Sequence, residues 1–367
     1  MQINLWYDNK MIFGDVLEIK NGKNQKAVEN PKGAYPIYGS GGIMGYADDY
    51  ICKADTVVIG RKGSINNPIY VEEPFWNVDT AFGLEARQDV LKPRYLYYFC
   101  KKFDFERLNK AVTIPSLTKS DLLKIKINLP DIDQQQVVID KLMKIEKIIE
   151  YRKDELSASD DLIKARFVEM FGSIHESTEY PYVTVKDLTD TISGGTPSRE
   201  HVEYWENGTI PWVKTTELHN NVISNTEEYI TEAGLNGSSA KLVPRGTVLV
   251  AMYGQGKTRG MTAYLNIEAC TNQACACILP SDKIDSMYMW KFFELSYDKL
   301  RSLAQGAGQP NLNGNMIKNF QVLVPPIMLQ REYIDFVRHV DKSKVAIQKS
   351  LDETKLLFDS LMQEYFG

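Results

Sequence analysis

Leu129-Pro130-Asp131-Ile132-Asp133-Gln134-Gln135-Gln136-Val137-Val138-Ile139 and Val324-Pro325-Pro326-Ile327-Met328-Leu329-Gln330-Arg331-Glu332-Tyr333-Ile334 are two versions of one segment, 195 residues apart. Leu129-Pro130 falls on Val324-Pro325, Gln135 on Gln330 and Ile139 on Ile334. The same shift carries Pro115-Ser116-Leu117 onto Pro310-Asn311-Leu312 and Glu169-Met170-Phe171-Gly172 onto Glu364-Tyr365-Phe366-Gly367. Upstream the match loosens but keeps its order. Val57-Val58-Ile59-Gly60-Arg61-Lys62-Gly63 parallels Val248-Leu249-Val250-Ala251 and the Gly254-to-Gly260 loop. Tyr95-Leu96-Tyr97-Tyr98-Phe99 parallels Tyr288-Met289-Trp290-Lys291-Phe292-Phe293. A constant shift held this long marks an internal duplication, each copy a divergent globular part followed by a better-matched tail.

The tails read as long helices. From Asp133 to Phe171 there is neither Pro nor Gly, and Asp133 with Gln136 forms a capping-box pattern. Apolar residues alternate at spacings of four and three: Val138, Leu142, Ile145, Ile149, then Leu156, Ile163 and Met170. Arg152, Ser159 and Arg166 interrupt that seam. The second tail repeats it with Tyr333, Val337, Val340, Ile347, Leu351, Phe358, Leu361 and Tyr365, interrupted by Lys344 and Thr354. A seven-residue period of this length points to a coiled-coil seam between the helices, the alternative being two amphipathic helices on separate cores. Roughly 38 residues at about 1.5 Å each make a rod near 57 Å. If paired antiparallel, such rods would hold two globular parts farther apart than one DNA turn of about 34 Å.

The fold class expected is α+β: two mixed α/β domains in pseudo-twofold repeat, separated by two long coiled-coil helices. The boundaries are 1–130 and 173–325 for the domains, 131–172 and 326–367 for the helices. Ile51 to Ile59 and Gly246 to Met252 read as strands, and Leu91 to Phe105 and Ser286 to Leu303 as aromatic-rich helices. The 367 residues are 25% charged and 43% hydrophobic, an ordinary globular composition that excludes a disordered tail, a collagen-like fibre or a disulfide miniprotein. Mean hydropathy is −0.31, and no apolar run approaches the ~20 residues of a membrane helix. The first eight residues lack the basic start and apolar stretch of a secretory signal. Five cysteines fit thiols in a reducing cytoplasm better than a disulfide framework. The net charge of −5 argues against a general attraction to nucleic acid, yet residues 1–130 carry +3 while each later stretch is negative. Any DNA contact must therefore come from local basic loops.

Ala251-Met252-Tyr253-Gly254-Gln255-Gly256-Lys257-Thr258 fits a relaxed phosphate-loop pattern after a strand-like run. A phosphate loop must then open a helix, but Arg259-Gly260-Met261-Thr262-Ala263-Tyr264-Leu265 reads as turn and strand. Its repeat partner, Gly60-Arg61-Lys62-Gly63-Ser64, keeps the glycines and basic residues and breaks the pattern. What both loops share is flexible backbone flanked by basic and small polar side chains, suited to phosphate or a guanine edge. The candidate DNA contacts are Arg61, Lys62 and Ser64 in one copy and Tyr253, Gln255, Lys257, Thr258 and Arg259 in the other. Weaker candidates are Tyr38 and Ser40, Lys214 and Thr215, and Gln309 and Asn311, each of which alone is more often an ordinary turn. Catalytic signals are thin. Glu18-Ile19-Lys20 resembles a nuclease fragment but reads as a surface ion pair. Cys275-Ala276-Cys277 alternates faces, and the four histidines are scattered, so no metal site is expected.

Two variable parts, each ending in Pro and then a Gln-bearing long helix, resemble the specificity subunit of type I restriction–modification enzymes. Leu129-Pro130 with Gln134-Gln135, Val324-Pro325-Pro326 with Gln330, and Phe171-Gly172 with Phe366-Gly367 carry the resemblance. Gly254-Gln255-Gly256-Lys257-Thr258-Arg259-Gly260, Asn272-Gln273-Ala274 and Gly308-Gln309-Pro310-Asn311-Leu312 support it, and it covers essentially the whole chain. It implies two recognition domains, each reading half of a split sequence in double-stranded DNA. It also implies antiparallel helices that set the gap and dock two methyltransferase (modification) subunits. Those partners would supply S-adenosylmethionine and the adenine methylation, and restriction subunits would add ATP, Mg and cleavage. No cofactor, metal or membrane is implied for this chain, and no catalysis. Two other readings remain open at this level: an NTPase using Lys257 and Thr258, and a scaffold holding two interaction domains on a helical rod.

Overall fold

The computed structural model describes residues 10–109, 114–254, 256–304 and 311–367. They form two compact units, one of residues up to Asp154 together with Ile347–Gly367, the other of Glu155–Ala346. Both are mixtures of sheet and helix.

In the first unit, a four-stranded antiparallel sheet runs in the order Leu17–Asn21, Ala81–Ala86, Thr56–Gly60, Ile69–Val71. Every residue of Thr56–Gly60 is buried, which is why its sequence is a continuous apolar run and not an alternating one. A three-stranded sheet of Gly42–Ala47, Tyr35–Gly39 and Trp76–Asn77 stands beside it, and Lys10–Ile12 pairs with Lys126–Asn128. Helix Pro93–Lys102 sends Tyr95, Leu96, Tyr98 and Phe99 into the core. Pro93 opens this helix, where its missing N–H costs nothing, and Lys101 and Lys102 close it at the negative end of the dipole.

The second unit repeats this plan with a five-stranded sheet: Thr191–Ser193, Cys275–Ile278, Val248–Ala251, Thr262–Leu265, Asn221–Ile223. Glu228–Ile230, Ile210–Val213 and Cys270–Thr271 make its smaller sheet, and Tyr182–Thr184 pairs with Gln321–Leu323. Helix Ser286–Leu295 starts at Asp285, whose carboxylate accepts from the amides of Met287 and Tyr288. Three hydrogen bonds recur at equivalent places in the two units. Tyr95 donates to the Asn128 carbonyl (3.3 Å) and Tyr288 to that of Leu323 (3.1 Å). Buried Gln135 accepts from the Lys92 amide (2.8 Å), and buried Gln330 from the Asp285 amide (2.9 Å). Gln135 also donates to the Pro130 carbonyl, as Gln330 does to that of Pro325. Each glutamine thus fastens the start of its unit's aromatic helix to the start of a long one.

The long helices are Ile132–Phe171 and Ile327–Phe366, 40 residues each. Within the first unit, Val138, Leu142 and Leu351 are buried, and Ile145, Ile149, Ile347, Phe358 and Leu361 half-buried. Phe358, Leu361, Tyr365 and Phe366 pack against that unit's core. Within the second, Ile163 and Val337 are buried and Leu156 and Val340 half-buried. There Arg166 pairs with Glu332 at 2.9 Å and Lys344 with Asp160, so the helical segments run antiparallel. Two of the polar interruptions of the seven-residue pattern are therefore ion pairs between helices. Gly172, at φ +77°, ends the first helix by donating to the Val168 carbonyl, a left-handed position that favours glycine. Among the described residues no helix is long and apolar enough to cross a membrane.

Some boundaries differ from the sequence expectation. The first central strand begins at Thr56, not Ile51, because Asp55 takes φ +57° and Cys52 bridges to Phe75 instead. The helix expected over 91–105 ends at Lys102, where Phe103 turns extended. The one expected over 286–303 breaks at Ser296, whose amide is shared between the Phe292 and Phe293 carbonyls. The first long helix starts at Ile132, and Asp131, not Asp133, caps it by accepting from the Gln134 amide at 2.8 Å.

Candidate nucleic-acid interface

In the first unit the loop after Gly60 is held from both sides. The amides of Arg61 and Lys62 donate to the Thr80 carbonyl (2.8 and 3.2 Å), Gly63 donates to Pro115, and Leu117 donates to Arg61 (2.9 Å). Gly63 sits at φ +79°, so the turn needs glycine there. With its backbone clamped, the loop leaves Lys62 and Ser64 exposed, while Arg61 is half-buried with its guanidinium 5.7 Å from the Phe82 ring. Ser40 joins this group, since a Cβ on Gly63 would lie 3.9 Å from its hydroxyl. Tyr38 is half-buried edge-on against Phe75, and burial, with Glu73 nearby, pushes its phenol above the usual range.

The second unit builds the corresponding loop differently on the same foundation. Leu312 donates to the Met252 carbonyl at 3.0 Å, the counterpart of Leu117 on Arg61. The chain returns through Gly260, whose amide donates to Ala251. Two side chains of helix Tyr297–Ser302 then grip the loop: Tyr297 donates to the Lys257 carbonyl (2.7 Å) and Arg301 to that of Arg259 (2.9 Å). Tyr253 and Lys257 are exposed, Thr258 and Arg259 half-buried. Sequence reading missed Tyr297 and Arg301; their only signal is the four-residue spacing that puts them on one helix face, where Arg301 also donates to Tyr297. Gln255 and Gln309 lie outside the described residues, and Asn311 is half-buried beside Leu312.

Lys214 and Thr215 are placed otherwise. The Lys214 ammonium lies 2.9 Å from both the Glu227 and Glu228 carboxylates, which hold its pKa well above the usual lysine range. Arg199 also pairs with Glu228 and stacks 3.5 Å above the Trp205 ring. Thr215 is buried. The lysine's charge is committed to carboxylates, whereas neither Lys62 nor Lys257 has an ion-pair partner among the described residues.

Chemistry of other kinds finds little support. The loop resembling a phosphate loop is followed by a turn and then strand Thr262–Leu265, with no helix N-terminus for phosphates to meet. Lys20 donates to Glu18 at 2.8 Å as a surface pair. All five cysteines are buried and free. Cys277 lies 3.2 Å from the Thr271 hydroxyl, and burial pushes its thiol up to about 11. Among the described residues no group of His, Cys, Asp or Glu is placed to hold a metal ion.

Residues 9–158 and 178–354 match the family model described as the type I restriction modification DNA specificity domain. The specificity subunit of the type I restriction enzyme EcoR124I/EcoR124II from Escherichia coli is 23% identical over 265 residues, 70% of this chain and 65% of that protein. The MjaVIII specificity subunit of Methanocaldococcus jannaschii is 22% identical over 332 residues, covering 81% and 73%. The match thus spans just under two thirds of the E. coli relative's length, and 37% of the MjaIX specificity subunit of M. jannaschii. In three dimensions the chain resembles the S subunit of a type I restriction-modification system from M. genitalium, with a TM-score of 0.64, 16% identity and coverage of 100% and 98%. That likeness speaks to the fold.

Proposed function

The chain belongs to the type I restriction modification DNA specificity family, and on that premise we propose that it reads a bipartite DNA sequence for a methyltransferase it does not itself contain. The observation that carries this reading is the repeated loop: in both units an exposed lysine rides on a turn after the central strand, fixed by an equivalent bond from Leu117 or Leu312. Side chains held this way suit phosphate oxygens and guanine edges, whereas a freely moving loop would lose more entropy on binding. Duplication of the arrangement suits two half-sites, one per unit. The partners in this proposal are two methyltransferase subunits, carrying S-adenosylmethionine, and restriction subunits carrying ATP and Mg. This chain contributes recognition and assembly, not catalysis.

The test is to map methylated adenines across the genome of cells expressing the chain with its methyltransferase. A split motif that disappears when the chain is deleted is expected. Methylation without a motif, or one indifferent to this chain, would leave the scaffold and NTPase readings standing. The NTPase reading predicts instead that the purified chain binds nucleotide and that Lys257→Ala abolishes it.

A further inference from the structure

The second unit has a cleft of about 490 Å³ beside the candidate loop, lined by Thr191, Ser193, Lys241, Asn313, Asn315 and Lys318 around Gly314. We infer that this cleft takes a phosphate oxyanion of the DNA backbone. The inference rests on the DNA-reading function proposed above and adds a specific binding site to it.

The lining is rich in donors and contains no carboxylate. Among the described residues, neither Lys241 nor Lys318 has an ion-pair partner, in contrast to Lys214. The Asn313 side-chain oxygen is used by the Met316 amide at 3.0 Å, so its NH2 group is what remains to offer. Thr191 is 8% exposed, and its hydroxyl is buried without a hydrogen-bond partner. Buried polar groups are nearly always paired, so an unpaired hydroxyl on a residue beside a cationic cleft has hydrogen-bonding capacity to spare. Two ammonium groups, an amide and hydroxyls, with no anionic oxygen to receive a cation, select an oxyanion.

The first unit shows what happens where such a site is not kept. The repeat places Lys119 where the second unit has Gly314, and strand pairing makes Ile19 the counterpart of Thr191, since Ile19 lies opposite Leu84 as Thr191 lies opposite Ile278. The Lys119 ammonium donates to the Ile19 carbonyl at 2.7 Å, so the space is filled and the lysine is used within the fold. With Gly314 the space stays open, and an apolar isoleucine is replaced by a hydroxyl. The cleft also continues the candidate interface: Asn313 follows Leu312, whose amide holds the strand end from which the Tyr253–Gly260 loop departs.

The experiment uses the chain assembled with its methyltransferase, measuring affinity for a duplex carrying the mapped motif as salt is varied. A Lys241→Ala/Lys318→Ala double variant should lower the slope of log affinity against log salt by about two and weaken binding at least ~10-fold at low salt, leaving the motif unchanged. Gly314→Leu keeps both lysines but fills the cleft. A Cβ there would meet only the Ser193 hydroxyl, at 4.0 Å, so the variant should fold and still bind more weakly. Sequence-specific wild-type binding that both variants reproduce would overturn the cleft and leave the DNA-reading function intact. A wild-type complex with no sequence preference would end both. Millimolar inorganic phosphate, titrated against the complex, separates the two sources of the group. Protection of the cleft lysines from acylation by free phosphate, with the DNA salt slope unmoved by either variant, would reassign the site to a small phosphate ligand and overturn the backbone contact.

Discussion

Replacing Gln135 with leucine tests whether the repeated glutamine is a fastener or an accident of packing. Its side chain is fully buried and makes three hydrogen bonds to backbone: it accepts from the Lys92 amide at 2.8 Å and donates to the Val90 and Pro130 carbonyls, each at 2.9 Å. Leucine fits the volume but orphans all three groups. Each buried orphan costs about 1–3 kcal/mol, the amide more than the carbonyls, and the gain from an apolar side chain offsets about 1–2 kcal/mol. The net expectation is a loss of about 3 kcal/mol, or about 6–12 °C in the melting midpoint of a unit this size. Gln330 makes only two such bonds, to the Asp285 amide and the Pro325 carbonyl, so Gln330→Leu should cost about 2 kcal/mol. Gln135→Glu adds a pH signature. Burial beside two carbonyls would raise the folded-state pKa of the new carboxyl, so its penalty grows as pH rises above about 4.3, where the unfolded chain ionises. The assay is urea unfolding, with amide hydrogen exchange of the strands Thr56–Gly60 and Val248–Ala251 to assign each loss to its unit. A Gln135→Leu midpoint within about 1 kcal/mol of wild type, or equal loss from both strands, would refute the reasoning.

Three further outcomes are expected. Lys62→Ala and Lys257→Ala should each weaken DNA binding by the assembled complex and reduce the salt slope by about one, checked by titration at several salt concentrations; an unchanged slope removes that loop from the interface. Glu228 is partly buried, which alone would raise its pKa, but hydrogen bonds from Lys214 and Arg199 bring it below the usual carboxylate range. The stability this adds is present above the ordinary carboxylate pKa and lost as pH falls through the lowered one, so Glu228→Gln should destabilise at pH 7 and converge with wild type in acid, as thermal melts across pH will show. The five buried cysteines, with Cys52 pushed up to about 12 and Cys270 to about 11 by burial, should resist iodoacetamide in the native protein at pH 8 and react once it is unfolded, as mass spectrometry will record.

The parts of this protein that sequence alone revealed are those where one physical requirement repeats. A helix seam needs an apolar side chain at each turn toward its partner, and the positions from Val138 to Ile163 and from Val337 to Leu361 are buried or half-buried at that spacing. Strand ends were harder to read. Ile51 and Cys52 look like the start of a strand because they are apolar, but they are apolar to cover Phe75 and the smaller sheet, a tertiary reason no local pattern contains. The cap misassignment has a similar cause: Asp131 and Asp133 are both plausible on composition, and only the geometry after Pro130 selects the first. In the candidate interface the exposed lysines were legible through their glycines. The groups that hold the loop, Tyr297 and Arg301, come from more than thirty residues away and could not be paired with it in advance.

The two units differ in the loops where the proposed recognition lies, and the way they differ separates foundation from surface. Leu117 and Leu312 keep the same backbone bond, and the Tyr95/Tyr288 and Gln135/Gln330 pairs keep theirs, although neighbouring residues have changed. These contacts use backbone acceptors or donors on one side, so they tolerate drift in the side chains around them. Above that foundation, one loop is a short turn clamped by Thr80 and the other a longer excursion held by Tyr297 and Arg301. At the Lys119/Gly314 position one copy has a lysine bonded to the Ile19 carbonyl and the other a cleft around the glycine. A fold that read two identical half-sites would gain nothing from such divergence, whereas one that reads two different sequences requires it. Grafting residues 62–64 in place of 253–259, with the strands before and after unchanged, therefore tests specificity apart from stability. The graft should fold, because Met252, the counterpart of Arg61, keeps the carbonyl that the Leu312 amide binds, and should alter the half-site read by the second unit. An unaltered motif in a stable graft would place recognition elsewhere in that unit.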